Sequence, residues 1–321
     1  MNSLIVISDP ADPLLAMLDE LPAETDIAVG NTPEAFENIA PRAEAILNWD
    51  LSGRLLRQVF GMCPRVRWVH TRTAGLDKLL FPALAGSPAQ LTNASGVFSH
   101  SLGEFALAAI LYFAKDFRRM IRSQQAGAWA PFDVEMIAGR TLGIVGYGDI
   151  GCAVAAAARA MGMCVLAIKR HAPASLGGDA LAHEVYGPER LLETIERSDY
   201  VVVAAPLTPE TRGMIGQREF AAMKPGAVIV NVGRGPVIDE AAMLRALTEK
   251  RIKGAALDVF EREPLPTGHP FYKLENVLLS PHCADNTTDW EASAMRFFLA
   301  QFDRFRKGEP LLNVVDKKLG Y

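Results

Sequence analysis

The 321-residue sequence contains only four cysteines, Cys63, Cys152, Cys164 and Cys283, and no two of them form a Cys-x-x-Cys pair. That spacing excludes a zinc ribbon and a dithiol redox motif. It reads as reduced thiols in a cytoplasmic protein, and no metal site is expected. A basic block is also missing: 33 Lys and Arg stand against 37 Asp and Glu, a formal net charge of −4. Nucleic acid is therefore not an expected partner. No apolar run approaches the roughly 20 residues needed to cross a bilayer, so no membrane association is expected. The opening Met-Asn-Ser-Leu-Ile-Val-Ile-Ser has neither a basic leader nor a cleavage site and reads as a first β-strand. Low-complexity tracts are absent. What remains is 50% apolar and 22% charged, in a chain long enough for two domains.

Strand-like and helical patterns alternate. In the first hundred residues, apolar runs at 4–8, 27–29, 45–48, 66–71 and 90–93 alternate with helical patterns near 13–21, 33–39 and 51–60. Such alternation predicts an α/β fold with a parallel sheet covered on both faces. Residues 101–117 predict one long helix, apolar on nearly every face and hence buried. It suits either a linker helix that also packs on a second subunit or a plain core helix. Residues 118–140 read as an irregular arm carrying Trp129. A second series follows, with strands at 142–145, 164–168, 200–204, 227–232, 254–257 and 277–279. Its helices fall at 150–161, 191–197, 218–222 and 240–250. Residues 172–180 read as a surface loop, and a last helix at 290–306 returns to finish the first domain.

The most informative segment is Leu142 to Gly151, an apolar run that breaks into Gly-Tyr-Gly-Asp-Ile-Gly and then an alanine-rich helix. A dinucleotide pyrophosphate needs this layout. Gly146 permits a sharp turn, Gly148 lets backbone N–H groups reach the phosphates, and Gly151 lets the helix pack on the sheet. The helix N-terminus adds partial positive charge. About 20 residues beyond such a turn, a carboxylate binds the ribose of NAD. Here that position holds Lys169 followed by Arg170, which can bond the extra phosphate of NADP. The expected cofactor is NADP, with NAD possible.

Three later segments each put one reactive side chain at the end of a predicted strand: Arg234 in Gly-Arg-Gly, Glu263 in Glu-Arg-Glu-Pro, and His282 in Ser-Pro-His. In open α/β sheets, ligands sit outside the carboxyl ends of the strands. An arginine fork can grip a carboxylate and polarise a neighbouring carbonyl. A histidine can exchange a proton with the oxygen that gains charge, and an adjacent carboxylate keeps that histidine protonated. His70, His100, His171, His183 and His269 lack such a context and read as structural or solvated.

Gly-Tyr-Gly-Asp-Ile-Gly, Gly-Arg-Gly, Leu-Asp-Val-Phe with Glu-Pro, and Pro-His, in this order, resemble the D-isomer-specific 2-hydroxyacid dehydrogenases. Thr73-Ala74-Gly75-Leu76-Asp77, Thr92-Asn93 and Leu207-Thr208-Pro209-Glu210-Thr211 fit as well, and the resemblance spans about residues 65–315. It implies a Rossmann-type, doubly wound nucleotide-binding domain (100–287) inserted in a flavodoxin-like α/β substrate domain (1–99 and 288–321), and a homodimer. It also implies a catalytic Arg234, Glu263 and His282, and a substrate carboxylate received by the backbone of Ala74, Gly75 and Leu76. Cofactor contacts are implied at Gly146, Tyr147, Gly148, Asp149, Ile150, Gly151, Lys169, Arg170, Pro206, Thr211, Val232, Gly233 and Asp258, the last facing the nicotinamide carboxamide. The activity implied is interconversion of small 2-oxo acids and D-2-hydroxy acids, with glyoxylate or hydroxypyruvate as examples. Glu263 argues against formate, because formate dehydrogenases of this fold pair the histidine with an amide. Phosphite oxidation uses the same triad and stays open. An NAD(P)-sensing corepressor of the same family stays open too, although the sequence lacks the long disordered tails expected of one.

Overall fold

The computed structural model describes residues 2–49, 53–76, 79–172 and 178–320. Asp77 lies outside these residues, as do the start of the helix expected from residue 51 and most of the loop expected at 172–180. The chain divides into two compact units, Met1–Phe98 with Thr288–Tyr321, and Ser99–Thr287.

The first unit opens with β1 (Ser3–Ile7), β2 (Asp26–Gly30), β3 (Ala45–Asn48), α1 (Arg54–Met62), β4 (Trp68–Thr71), α2 (Pro82–Ala85) and β5 (Gln90–Asn93). The strands are parallel, in the order β2-β1-β3-β4-β5. This is the flavodoxin-like winding, whose strand order reverses beside β1. β1, β3 and β4 are buried along their whole length. That is why β1 and β3 read as mainly apolar runs rather than alternating ones, while β4 buries His70 and Thr71 as well. Two segments expected as helices form short 3₁₀ stretches instead, Pro13–Glu20 and Pro33–Phe36. In the first, Asp19 and Glu20 occupy the final turn with no basic residue there, which opposes the helix dipole at its carboxyl end.

The second unit begins with α3 (Ser99–Ala114) and α4 (Phe117–Gln125). The helix expected over 101–117 is α3, which ends at Ala114, and a second helix, α4, opens the segment expected as an arm. Asp116 breaks the chain with φ 49°, and its carboxylate then accepts the Arg119 N–H at 3.2 Å as the N-cap of α4. The expected arm is helical as far as Gln125, and only the stretch from 126 to 140 is irregular. Trp129 within it is 97% exposed. The alternation then runs β6 (Thr141–Val145), α5 (Asp149–Ala160), β7 (Cys164–Ile168), β8 (Glu184–Tyr186), α6 (Leu191–Arg197), β9 (Tyr200–Val203), α7 (Gln217–Ala222), β10 (Val228–Asn231), α8 (Glu240–Thr248), β11 (Gly254–Leu257) and β12 (Val277–Leu279). Its seven parallel strands lie in the order β12-β11-β10-β9-β6-β7-β8, the Rossmann winding extended by one strand. β8 is a seventh strand that the sequence did not announce. α3 packs against α5 at a glycine: a Cβ on Gly103 would lie 3.1 Å from the carbonyl carbon of Ala153.

The chain finishes with α9 (Trp290–Lys307) in the first unit. Phe298 of α9 stacks on Trp68 of β4 at 5.5 Å, and the Trp68 indole donates to Thr92 Oγ1 at 2.8 Å. His70 lies fully buried beside them with Nδ1 2.7 Å from the same hydroxyl, and burial pushes its pKa down to about 3. It is a neutral core histidine.

Candidate active site

Every chemistry-bearing loop of the second unit leaves the carboxyl end of a strand. The glycine turn follows β6, Lys169 follows β7, and Pro206 to Thr211 come after β9. Arg234, Asp258 and His282 come after β10, β11 and β12, which are consecutive neighbours in the sheet.

The turn is built as a dinucleotide requires. Gly146 has φ +100°, and a Cβ there would collide with the backbone nitrogen of Ala205. A Cβ on Gly151 would strike the Gly146 carbonyl. Gly148 differs: a Cβ would meet nothing within 4 Å, and as N-cap of α5 it makes no side-chain hydrogen bond to the first turn. The chain thus presents open space in front of a helix start, and a pyrophosphate fits there. The amides of Gly146 and Tyr147 both bond the Ile168 carbonyl, at 3.1 and 3.0 Å, which ties the turn to the end of β7. Asp149 and Ile150 open α5.

Lys169 is exposed, with its amide on the Tyr186 carbonyl at 2.8 Å. Arg170 pairs with Glu210 at 3.1 Å, so the basic pair reaches the loop after β9. Two acidic neighbours escaped the sequence reading. One is Glu210. The other is Asp179, which accepts the Tyr147 hydroxyl at 2.9 Å and the Leu181 and Ala182 amides at 2.8 Å each. Burial and the bond to Asp179 together push the Tyr147 phenol well up. In the loop after β9, the Thr211 hydroxyl donates to the Pro206 carbonyl at 2.6 Å and accepts the Thr208 amide at 2.8 Å. Val232 is buried, with its amide on the Val203 carbonyl at 3.0 Å. Gly233 lies beside it, and its amide donates to Asn231 Oδ1 at 3.1 Å.

Arg234 leaves the sheet from that same turn. The Asn231 amide donates to its carbonyl at 3.1 Å, and its Nη1 donates to the Gly233 carbonyl at 2.9 Å. The glycine after it does more than expose the arginine. A Cβ on Gly235 would collide with the Phe260 carbonyl group, so Gly235 allows the arginine loop to lie on the loop that carries Glu263. Glu263 is fixed at both oxygens: Oε1 accepts the Phe260 N–H at 3.0 Å and Oε2 lies 2.8 Å from His282 Nδ1. Burial pushes the Glu263 carboxyl up, but its bonds to His282 and Phe260 and the charges of His282 and Arg234 outweigh that and hold it below the usual range. The bond to Glu263 raises the His282 pKa above its ordinary value, against burial and the Arg234 charge.

His282 has φ 53°, the left-handed region that few non-glycine residues occupy. Asp258 explains how it is held there. Its Oδ1 accepts the Ser280 hydroxyl at 2.6 Å, the Cys283 amide at 2.9 Å and the Ala284 amide at 3.1 Å. Asp258 is 1% exposed and so anchors both sides of the histidine. Asp285, also near this group, is pushed up by burial and by Asp258.

Ala74, Gly75 and Leu76 belong to the first unit, just past β4. The carbonyls of residues 73 to 76 are all taken: Thr73 O by the Ala94 amide, Ala74 O by Asn93 Nδ2, Gly75 O by the Thr73 hydroxyl, and Leu76 O by the Leu79 and Leu80 amides. Among the described residues the N–H groups of Ala74, Gly75 and Leu76 have no acceptor.

A parallel Rossmann sheet with this glycine turn, and with an arginine, a glutamate and a histidine on adjacent strand ends, defines a nucleotide-dependent oxidoreductase of 2-hydroxy acids. Residues 107–284 match the family described as D-isomer specific 2-hydroxyacid dehydrogenase, NAD binding domain. A glyoxylate reductase of Korarchaeum cryptofilum is 36% identical over 277 residues, 82% of this chain and 80% of that protein. A D-isomer specific 2-hydroxyacid dehydrogenase from Xanthobacter autotrophicus Py2, solved with NADPH and MES, superposes with TM-score 0.85 at 30% identity, covering 100% of this chain and 99% of its own. An NADPH-dependent glyoxylate/hydroxypyruvate reductase from Sinorhizobium meliloti, solved with NADP and sulfate, gives TM-score 0.86 at 27% identity, with 100% of both chains covered. The chain belongs to the D-isomer specific 2-hydroxyacid dehydrogenases.

Proposed function

We propose that this enzyme is an NADPH-preferring reductase of small 2-oxo acids, of the glyoxylate and hydroxypyruvate kind, forming the 2-hydroxy acids (the D isomers where C2 is chiral). The observation that carries the reading is the 2.8 Å bond from Glu263 to a histidine locked in the left-handed region and served by the neighbouring Arg234 loop. The relatives named for glyoxylate reduction, at 36% and 27% identity, support the substrate class. The neighbours solved with NADPH or NADP support the cofactor, as do Lys169 and Arg170 at the end of β7.

A dinucleotide held by its pyrophosphate at the β6 turn would supply a hydride for C2 of the oxo acid. Arg234 uses its fork on the carboxylate and carbonyl oxygens and draws electron density toward the carbonyl oxygen. His282, kept protonated by Glu263, gives its proton to that oxygen as negative charge develops; in the reverse direction it takes the proton back. The amides of Ala74, Gly75 and Leu76 receive carboxylate oxygens, in keeping with their having no acceptor among the described residues. In this reading Asp258 places His282 and would also contact the nicotinamide carboxamide.

The protein works in the cytoplasm as a homodimer and binds no nucleic acid. Exposed Phe117, Met120 and Ile121 on α4, with Trp129, Val134 and Met136 on the following arm, supply an apolar surface for a second copy. The net charge of −4 fits the absence of a nucleic-acid partner. No helix among the described residues is long and apolar enough to cross a membrane. The test is a panel of 2-oxo acids with NADPH, followed by loss of its absorbance, with His282→Ala in parallel. Turnover of glyoxylate or hydroxypyruvate by the wild type and its collapse in the variant are expected. No turnover of any acid would end the reading.

A further inference from the structure

The carboxyl edge of the five-stranded sheet carries a side-chain cluster that the reaction above does not use. Trp49 follows β3, Arg72 follows β4, and Trp290 and Glu291 open α9. The Arg72 guanidinium carbon lies 4.9 Å from the Trp49 ring centroid and 5.3 Å from that of Trp290. Its Nη1 donates to Glu291 Oε1 at 3.0 Å, and the side chain is only 12% exposed. The cage is itself braced. The Trp49 indole donates to Asp12 Oδ2 at 2.9 Å, and Trp290 meets Phe98 edge-on at 6.0 Å.

An ion pair whose carboxylate side chain is 42% exposed adds little stability by charge alone. What a guanidinium adds is geometry: a planar group that stacks on rings while its edge bonds a carboxylate. Here that geometry ties strand ends β3 and β4 to the start of α9. It does so one residue before Thr73, where the chain turns away into the segment whose amides at 74, 75 and 76 have no acceptor among the described residues.

We propose that Arg72 is a positioning residue for the substrate carboxylate, holding the departure of the chain from β4 so that the amides of Ala74, Gly75 and Leu76 keep their orientation. This inference rests on the 2-oxo acid reductase reading. Arg72 acts through the backbone it anchors, and lysine, a point charge on a flexible stem, does not replace it.

The test compares wild type, Arg72→Lys, Arg72→Met and Glu291→Gln in glyoxylate reduction with NADPH, beside thermal unfolding and quenching of tryptophan fluorescence by oxalate, a planar carboxylate probe. For Arg72→Lys, KM for glyoxylate and Kd for oxalate are expected to rise roughly tenfold, the worth of about one charge-assisted bond. Over the same comparison kcat stays within about threefold and KM for NADPH is unchanged, a split that general loosening of the fold would not produce. Glu291→Gln shifts KM in the same direction by less. Should Arg72→Met fail to fold, the lysine variant decides. A lysine variant with wild-type KM and oxalate affinity overturns the proposal, and so does one whose kcat and NADPH affinity fall in step with KM. A wild type that reduces no 2-oxo acid removes the reductase reading and this inference together. An active wild type with an unmoved lysine variant removes only the role of Arg72.

Discussion

Glu263 and His282 meet at 2.8 Å, and the second carboxylate oxygen is tied to the Phe260 amide, so the pair has one geometry rather than many. Its signature is in pH. The His282 pKa stands above its ordinary value because Glu263 accepts its Nδ1–H, and reduction needs the protonated ring. The rate of 2-oxo acid reduction should therefore hold through the ordinary histidine range and fall only as pH rises through the raised pKa. Glu263→Gln removes the carboxylate charge, and the falling limb should move to lower pH. The reverse reaction needs the neutral ring and should rise over the same interval. Profiles of kcat/KM against pH in both directions check this, and a limb that does not move in Glu263→Gln refutes the role of the carboxylate. The pair also contributes to stability in a defined window. The His282 contribution is lost as pH rises through its raised pKa, and that of Glu263 is lost as pH falls through its lowered one.

Removing the proton donor outright is a harsher test. His282→Ala should lower kcat by about 10²–10⁴-fold, the usual worth of general acid catalysis. Its affinity for NADPH should be unchanged, since the turn proposed to hold the phosphates lies at the end of another strand. Single-turnover kinetics beside equilibrium titration of NADPH separate the two. A variant with wild-type kcat would require another proton donor, and Asp285, pushed up by burial, would be examined first.

The cofactor prediction concerns Lys169 and Arg170. Replacing both by alanine removes two charge-assisted contacts available to the ribose phosphate, each worth about 1.5–3 kcal/mol. KM for NADPH should rise tenfold or more, counting roughly one decade per 1.4 kcal/mol, while KM for NADH changes little. The ion pair between Arg170 and Glu210 adds a second expectation. Glu210→Gln removes this ion pair and should tighten NADPH without affecting NADH. Equal changes for both cofactors would show that the basic pair is a solvated strand end.

Much of this architecture was legible because parallel strands are buried on both faces and announce themselves as apolar runs. The strands at 45–48, 90–93, 164–168, 254–257 and 277–279 have the same limits in sequence and structure. What stayed hidden had no local signal or a weak one. β8 is Glu-Val-Tyr, three residues on a sheet edge, too short for a pattern. The break between α3 and α4 did leave a trace, since Asp116 is a capping residue and Lys115, Arg118 and Arg119 end the apolar run around it. Arg234, Glu263 and His282 could be named from their turns and proline contexts. Asp258 as the anchor of the histidine, and Gly235 as the contact between two loops, could not. Both depend on strands 20 to 30 residues apart in sequence lying side by side, as β10, β11 and β12 do in the sheet.

That anchoring carries its own prediction. Asp258 is buried and one oxygen serves three donors, so Asp258→Ala leaves a hydroxyl and two amides unpaired. At about 1–3 kcal/mol for a buried group left unsatisfied, partly relieved by entering water, the cost should be about 2–5 kcal/mol in urea unfolding. Asp258→Asn retains an acceptor oxygen and should keep most of the stability while lowering kcat, because the carboxylate charge near His282 is gone. Stability and activity falling together in the asparagine variant would mean that the charge, rather than the acceptor geometry, holds the loop.

The glycines of the β6 turn should separate folding from cofactor binding. Gly146→Ala places a Cβ against the Ala205 nitrogen at a φ of +100°, and both defects act on the folded state. A loss of about 2–4 kcal/mol is expected from strain and overpacking together. Gly148→Ala adds a methyl where nothing lies within 4 Å, so the melting temperature should match that of the wild type. The methyl stands instead in the space assigned to the pyrophosphate, and NADPH affinity should fall at least tenfold by titration, about 1.4 kcal/mol. A Gly148→Ala protein that is stable and binds NADPH as tightly as wild type would place the phosphates elsewhere. That result would dissociate the turn from the cofactor despite its shape.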